Sequence, residues 1–190
     1  SPKLYHWLIR PQLLTNFYIK DMIKANLCLD NKTVLDFGCG TGANCLLYEP
    51  DNYLGIDINQ NRINYAQKLY PDYQFQTLKS DESLPFSANT FDQILLVAVL
   101  HHLATEKLNH LLPKFQQILK SGGEIVAIEP VLSPKSHLSN YFMQTFDNGD
   151  HIRKQEKYFS IFKKHNYNLQ LIDKYNKLFF YQELFFTATH

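Results

Sequence analysis

The chain is short of the residues that mark special protein classes. Three cysteines, Cys28, Cys39 and Cys45, stand among 190 residues. An odd count without a Cys-x-x-Cys spacing excludes a disulfide scaffold and suits a reducing compartment. Seven glycines and eight prolines are too few for a collagen-like or low-complexity chain. Neither sign of charge is in excess: 19 Lys+Arg against 18 Asp+Glu leave +1, which removes the broad basic field of a nucleic-acid binder. The longest apolar run, Ile94 to Leu100, has seven residues, far below the roughly 18 that a membrane span needs. These absences lead us to expect a soluble, cytoplasmic protein without nucleic-acid or membrane partners. What is abundant is aromatic: Phe, Tyr and Trp make up 14%, ample for a dense core.

Alternating patterns organise the chain. Apolar residues at helical spacing from Leu13 to Leu27, opened by Pro11, predict a helix over 11–29. Strands are expected at 33–37, 53–57, 73–78, 92–98 and 124–128. Helices are expected from about Ala43 to Pro50, at 60–69 with Asn59 as its cap, and at 105–120 before Gly122-Gly123. Strand–helix alternation of this length predicts an α/β, doubly wound sheet. The tail differs: a helix over 151–165, started by Asp150, precedes strands at 169–173 and 178–187. Their linker is too short for a parallel crossover, so they should be antiparallel. We read one domain over 1–190, with 1–30 as a helical lid segment and 131–165 as a substrate-side insertion. Half of the aromatic stretch 178–181 could serve a homodimer; a monomer is equally open.

The chemistry concentrates in Val34 to Gly42. A strand runs into Gly38-Cys39-Gly40, where the backbone can approach a ligand closely, and the helix expected next would offer unpaired N–H groups. Asp57 ends the next strand nineteen residues after Gly38, where a carboxylate can accept both hydroxyl hydrogens of a ribose. Gly38-x-Gly40-x-x-Ala43 with Asp57 also satisfies the dinucleotide fingerprint, so a nicotinamide-dependent oxidoreductase stays open. Against it, Asp36 would repel a pyrophosphate but suit a cation. The chain lacks room for a second substrate domain, and its tail predicts a hairpin.

Five stretches in order, Val34–Gly42, Gly55–Ile58, Leu84-Pro85-Phe86 with Phe91-Asp92, Val99–Leu103 and Leu119–Gly123, resemble the motifs of class I S-adenosylmethionine-dependent methyltransferases. The resemblance implies a seven-stranded Rossmann-like sandwich of strand order 3-2-1-4-5-7-6 with strand 7 antiparallel. It also implies S-adenosylmethionine as cofactor. Gly38, Cys39 and Gly40 would pass its methionyl part, Asp36 would stand near its ammonium and sulfonium side, and Asp57 would bind the ribose. Ile58 would pack on the adenine, and Val97 would line the site. Lys79-Ser80-Asp81 replaces the family's Gly-Asp-Ala, so either Asp81 or Ser80 reads the adenine edge. The acceptor would be a small molecule.

Other candidates carry two readings each. His101 or His102, after the fourth strand, could act as general base, since imidazole titrates near neutral pH; a histidine that packs or caps is the alternative. Successive side chains diverge, so the two should not share a metal, and no zinc-type cluster accompanies them. Glu129 could touch a substrate, while Arg153 reads as a solvated cation on a helix face. Cys39 is a small loop filler rather than a nucleophile. A non-catalytic protein that binds the cofactor or a partner on the same fold also remains open.

Overall fold

The computed structural model describes residues 19–78, 84–132, 151–177 and 181–190. The chain divides into two units, residues 1–30 and 31–190. The described part of the first holds α1 (Asp21–Asn26). Leu27, expected inside that helix, is already extended. The Asn26 side chain bonds back to the Met22 carbonyl, the local competition by which Asn ends helices. Residues 11–18, where the same helix was expected to begin, lie outside the described part.

The second unit is built on one seven-stranded sheet of order β3-β2-β1-β4-β5-β7-β6. The strands are β1 (Val34–Phe37), β2 (Tyr53–Asp57), β3 (Gln74–Thr77), β4 (Phe91–Val97), β5 (Leu119–Pro130), β6 (Asn168–Lys177) and β7 (Tyr181–Thr189). β1 to β5 are mutually parallel, and β7 runs antiparallel between β5 and β6. This is the expected topology. All four residues of β1 are buried, as are Ile94 to Val97 of β4; strands covered on both faces read as continuous apolar runs. β5 starts five residues before its expected position, pairing Leu119 with Phe91, and the register shifts before Glu124. β6 reaches Lys177 opposite Tyr181, so the link between the tail strands is residues 178–180, which lie outside the described part.

Among its described residues this unit has three α-helices. α2 (Gln60–Leu69) starts as its sequence foretold, with the Asn59 side chain accepting from the N–H groups of Asn61 and Arg62. α3 (Thr105–Ile118) buries Leu108, Leu111, Leu112, Phe115 and Ile118, the i, i+3, i+4, i+7 stripe of an amphipathic helix. The Phe115 ring meets Phe37 edge-on at 5.2 Å, joining α3 to the central strand; truncating such a buried ring costs about 3–5 kcal/mol. α4 (Gln155–Lys164) buries Tyr158, Ile161 and Phe162, with Phe162 edge-on to Phe186 of β7. Lys154, not Asp150, occupies its cap position and makes no side-chain bond there; Asp150 is outside the described part.

One expected helix is missing. Residues 43–49 form tight turns and a single 3-10 turn, Cys45–Leu47, through N–H bonds from Gly42 to Cys39, Cys45 to Gly42, Leu47 to Asn44 and Tyr48 to Cys45. Two features oppose a helix: only seven residues separate Gly42 from Pro50, which leaves little to repay nucleation, and Gly42 holds a left-handed φ of +78°.

Candidate functional site

β1, β2, β4 and β5 deliver their carboxyl ends to one edge of the sheet. The Gly38 and Cys39 N–H groups both donate to the Ile56 carbonyl, at 2.7 and 2.9 Å, which folds the glycine loop over the end of β2. Gly38 has φ +77°, and a Cβ there would stand 2.6 Å from Cγ2 of Val99. Only glycine suits that position. A Cβ on Gly40 would meet no atom within 4 Å, so the loop's outer face is open.

Two carboxyls flank the loop. Asp57 Oδ2 accepts from the Gly40 N–H at 2.9 Å and Oδ1 from the Asn59 N–H at 2.8 Å; Arg62 stands 3.8 Å away. Asp36 is 1% exposed. Tyr53 Oη at 2.7 Å and Asn44 Nδ2 at 3.3 Å both donate to its Oδ2, while no donor among the described residues reaches Oδ1. Burial, helped by the charge of Asp57, pushes the Asp36 carboxyl up to about 6, against the pull of Tyr53 and Asn44. A buried carboxyl with an oxygen that no donor among the described residues takes favours a cation. Sequence reasoning did not foresee Tyr53 and Asn44 as holders of Asp36; the signal was a polar-tipped ring opening a buried strand.

The other predicted residues fall in varied places. Ile58 is 69% exposed, a bare apolar side chain just beyond β2. Val97 is buried at the end of β4, and Cys39 is buried with its thiol pushed well up by burial and by Asp36 and Asp57, so it is no ready nucleophile. Ser80 and Asp81 lie outside the described residues. The hydroxyl of Thr77, paired in register with Asp57, is the one buried side-chain polar atom without a partner among the described residues.

Across the edge, Ala98 takes φ +56° and residues Leu100–His102 make a 3-10 turn. Glu129, expected to be able to face a substrate, is completely buried instead. Its Oε1 accepts from the N–H groups of Val99 and Leu100, both at 2.7 Å, and its Oε2 from His101 N–H at 3.3 Å and Nδ1 at 2.8 Å. Arg153 is likewise 7% exposed rather than solvated. Its guanidinium donates to the carbonyls of Leu100, His151 and Leu103, and lies 5.6 Å from the Tyr158 ring centre. Composition offers no hint of this, because main-chain carbonyls are the partners. His101 is buried and His102 exposed, yet their rings lie 4.0 Å apart, because the tight turn folds together side chains expected to diverge. Among the described residues no group of three or more His, Cys, Asp or Glu could hold a metal.

Comparison with known proteins decides the family. Residues 35–127 match the methyltransferase domain model, and three of the five motifs, Val34–Gly42, Gly55–Ile58 and Val99–Leu103, sit at the carboxyl ends of β1, β2 and β4. Residues 35–127, just under half of the chain, carry a methyltransferase domain. The chain is 31% identical over 126 residues to a protein of Encephalitozoon cuniculi named as a methyltransferase, covering 64% of this chain and 51% of that one. It is 30% identical over 113 residues to the mRNA cap guanine-N(7) methyltransferase of Schizosaccharomyces pombe, covering 51% and 31%. The chain thus spans about half the length of the first relative and a third of the second. An S-adenosylmethionine-dependent methyltransferase structure from Archaeoglobus fulgidus superposes with TM-score 0.75 at 17% identity, over 98% of each chain, which speaks for the fold.

The cofactor that the methyltransferase domain implies is S-adenosylmethionine, and the residues fit it. Asp36 keeps an oxygen that no donor among the described residues takes, Gly40 leaves open space, and Ile58 bares an apolar surface. No helix among the described residues is long and apolar enough to cross a membrane. A groove lined by Lys163, Asn166, Tyr167, Asn168 and Leu169 lies beside the start of β6, which is in line through Thr189 with the amino-terminal part of β5, away from these groups.

Proposed function

We propose that this chain transfers the methyl group of S-adenosylmethionine to a small-molecule acceptor. The observation that carries the reading is Asp36: a buried carboxyl beside the glycine loop with one oxygen unclaimed. In this role Asp36 faces the cofactor's ammonium and sulfonium side, Gly38, Cys39 and Gly40 pass its methionyl part, and Asp57 accepts from the ribose hydroxyls. Ile58 packs on the adenine, Val97 lines the site, and Ser80 or Asp81 reads the adenine edge. His101 or His102 acts as base where the acceptor must lose a proton.

The bound cofactor supplies an activated methyl with a neutral thioether as leaving group. The chain's own part is alignment for in-line attack, on the order of 7–11 kcal/mol in well-oriented systems, and exclusion of water. Near-neutral charge favours a small acceptor over a nucleic acid, although one relative is named for an mRNA cap. The nicotinamide reading is weakened because the helix N-terminus that would receive a pyrophosphate is replaced by the 3-10 turn at Cys45–Leu47.

Calorimetric titration with S-adenosylmethionine, S-adenosylhomocysteine and NAD tests the proposal. Micromolar binding of the adenosyl ligands, lost in Asp57→Ala, supports it. Binding of NAD alone would overturn it, and binding of nothing would leave a scaffold or partner role.

A further inference from the structure

The turn after β4 is strained, and two buried charges hold it. Ala98 takes a left-handed φ of +56°, a conformation that a side chain resists and that persists only where the surroundings impose it. The first three N–H groups beyond it all go to Glu129. Val99 and Leu100 donate to Oε1 at 2.7 Å each, and His101 donates to Oε2 at 3.3 Å. The carbonyls of Leu100 and Leu103 go instead to Arg153, at 2.9 and 2.6 Å. Burying a charge is costly unless it is fully engaged. Here a carboxylate from the end of β5 and a guanidinium ahead of α4, both buried, are engaged on the same few residues.

The residue that this turn presents to the glycine loop is Val99. Its methyls occupy the space that a side chain at Gly38 would need: a Cβ there would stand 2.6 Å from Cγ2 and 3.2 Å from Cγ1. The loop's other tie is a weak restraint. Gly38 and Cys39 both donate to the one Ile56 carbonyl, a single pivot, and Gly38, Gly40 and Gly42 all hold positive φ in backbone that few clashes restrict. A packing contact is short-ranged: a gap of about 0.5–1 Å forfeits roughly a quarter to a half of its attraction. The shape of the loop therefore depends on where the turn puts Val99, and that is set by the oxygen that takes the Val99 N–H.

We propose that Glu129 is a positioning residue for cofactor binding: it fixes the main chain at Val99 and Leu100 so that the Val99 side chain wedges the glycine loop into its binding shape. Glu129 touches no cofactor atom in this role and acts through Val99. The inference deepens the methyltransferase reading and rests on it only for the identity of the ligand; the coupling of β5 to the loop belongs to the chain itself.

Amide hydrogen exchange, followed by proton–nitrogen NMR on the 15N-labelled protein without ligand, tests the coupling. In Val99→Ala and Glu129→Ala the Gly38 and Cys39 amides are expected to exchange about tenfold faster or more, beyond any change at Leu95 in the buried centre of the sheet. A merely structural Glu129 would act through global unfolding, and the loop amides would then lose no more protection than Leu95. Glu129→Gln, whose amide oxygen can still accept from Val99 and Leu100, should restore loop protection to within about threefold of wild type. S-Adenosylhomocysteine affinity should follow the same order, about tenfold weaker in the two alanine variants and close to wild type in Glu129→Gln. Loop amides that merely follow Leu95, unchanged affinity in Val99→Ala, or equal losses in Glu129→Gln and Glu129→Ala overturn the proposal. Where Glu129→Ala fails to fold, Val99→Ala decides, because the proposal acts through that side chain. A wild type that binds no adenosyl ligand would instead sink the methyltransferase reading, while the exchange result still decides the coupling.

Discussion

Two buried carboxyls, one on each side of the sheet's carboxyl edge, are satisfied in opposite ways. Glu129 receives four N–H donors over both oxygens. Asp36 receives two side-chain donors on one oxygen and none on the other. Burial costs a charge the same wherever it lies, so the difference is in what each group is left to do. The saturated carboxyl is architecture: it builds the turn that carries the histidines. The half-used one leaves an oxygen for the ligand proposed above, and burial raises its proton affinity.

This contrast predicts a graded set of effects. Glu129→Ala orphans three main-chain N–H groups and the His101 ring, and should cost about 3–5 kcal/mol. A thermal or urea melt would show it, and a loss below 1 kcal/mol would erase the distinction. Asp57→Ala removes the acceptor for Gly40 and Asn59; cofactor affinity should fall by about 3 kcal/mol, roughly 100-fold. Arg153→Met should cost about 2–3 kcal/mol by leaving buried carbonyls unpaired, with cofactor affinity changed far less than in Asp57→Ala.

At Asp36 the effect is one of pH, and its sign is opposite. Its carboxyl is raised from 3.8 to about 6 in the folded chain, so folding favours the protonated form. That stabilisation is complete below about pH 4 and is lost as pH rises through 6, a change of about 3 kcal/mol at 1.36 per unit. Asp36→Asn keeps an acceptor for Tyr53 and should flatten this part of the stability–pH curve, without loss at pH 7. It should also weaken S-adenosylmethionine binding about tenfold.

The sequence carried the parallel core, the hairpin tail and the Asn59 cap plainly, because apolar periodicity and one capping side chain are local signals. It misread the turns at 43–49, where Gly42 and the early stop at Pro50 oppose a helix, and it misread Arg153. The arginine's partners are carbonyls on a turn fifty residues away, a juxtaposition that only the fold creates. In the candidate site, Asp36, Gly38, Gly40 and Asp57 were legible as a pattern of loop and strand ends. The roles of Tyr53, Asn44 and Glu129 were not, since hydrogen bonding across strands leaves no spacing to read.

The central claim is that Asp36 keeps one oxygen for a cationic cofactor. Calorimetric titration of wild type and Asp36→Asn with S-adenosylmethionine, at pH 5.5 in two buffers of different ionisation enthalpy, addresses it directly. The account predicts proton release on binding to the wild type, none in the variant, and about tenfold weaker affinity there. Equal affinity of the two proteins, with no proton released by either, would contradict it.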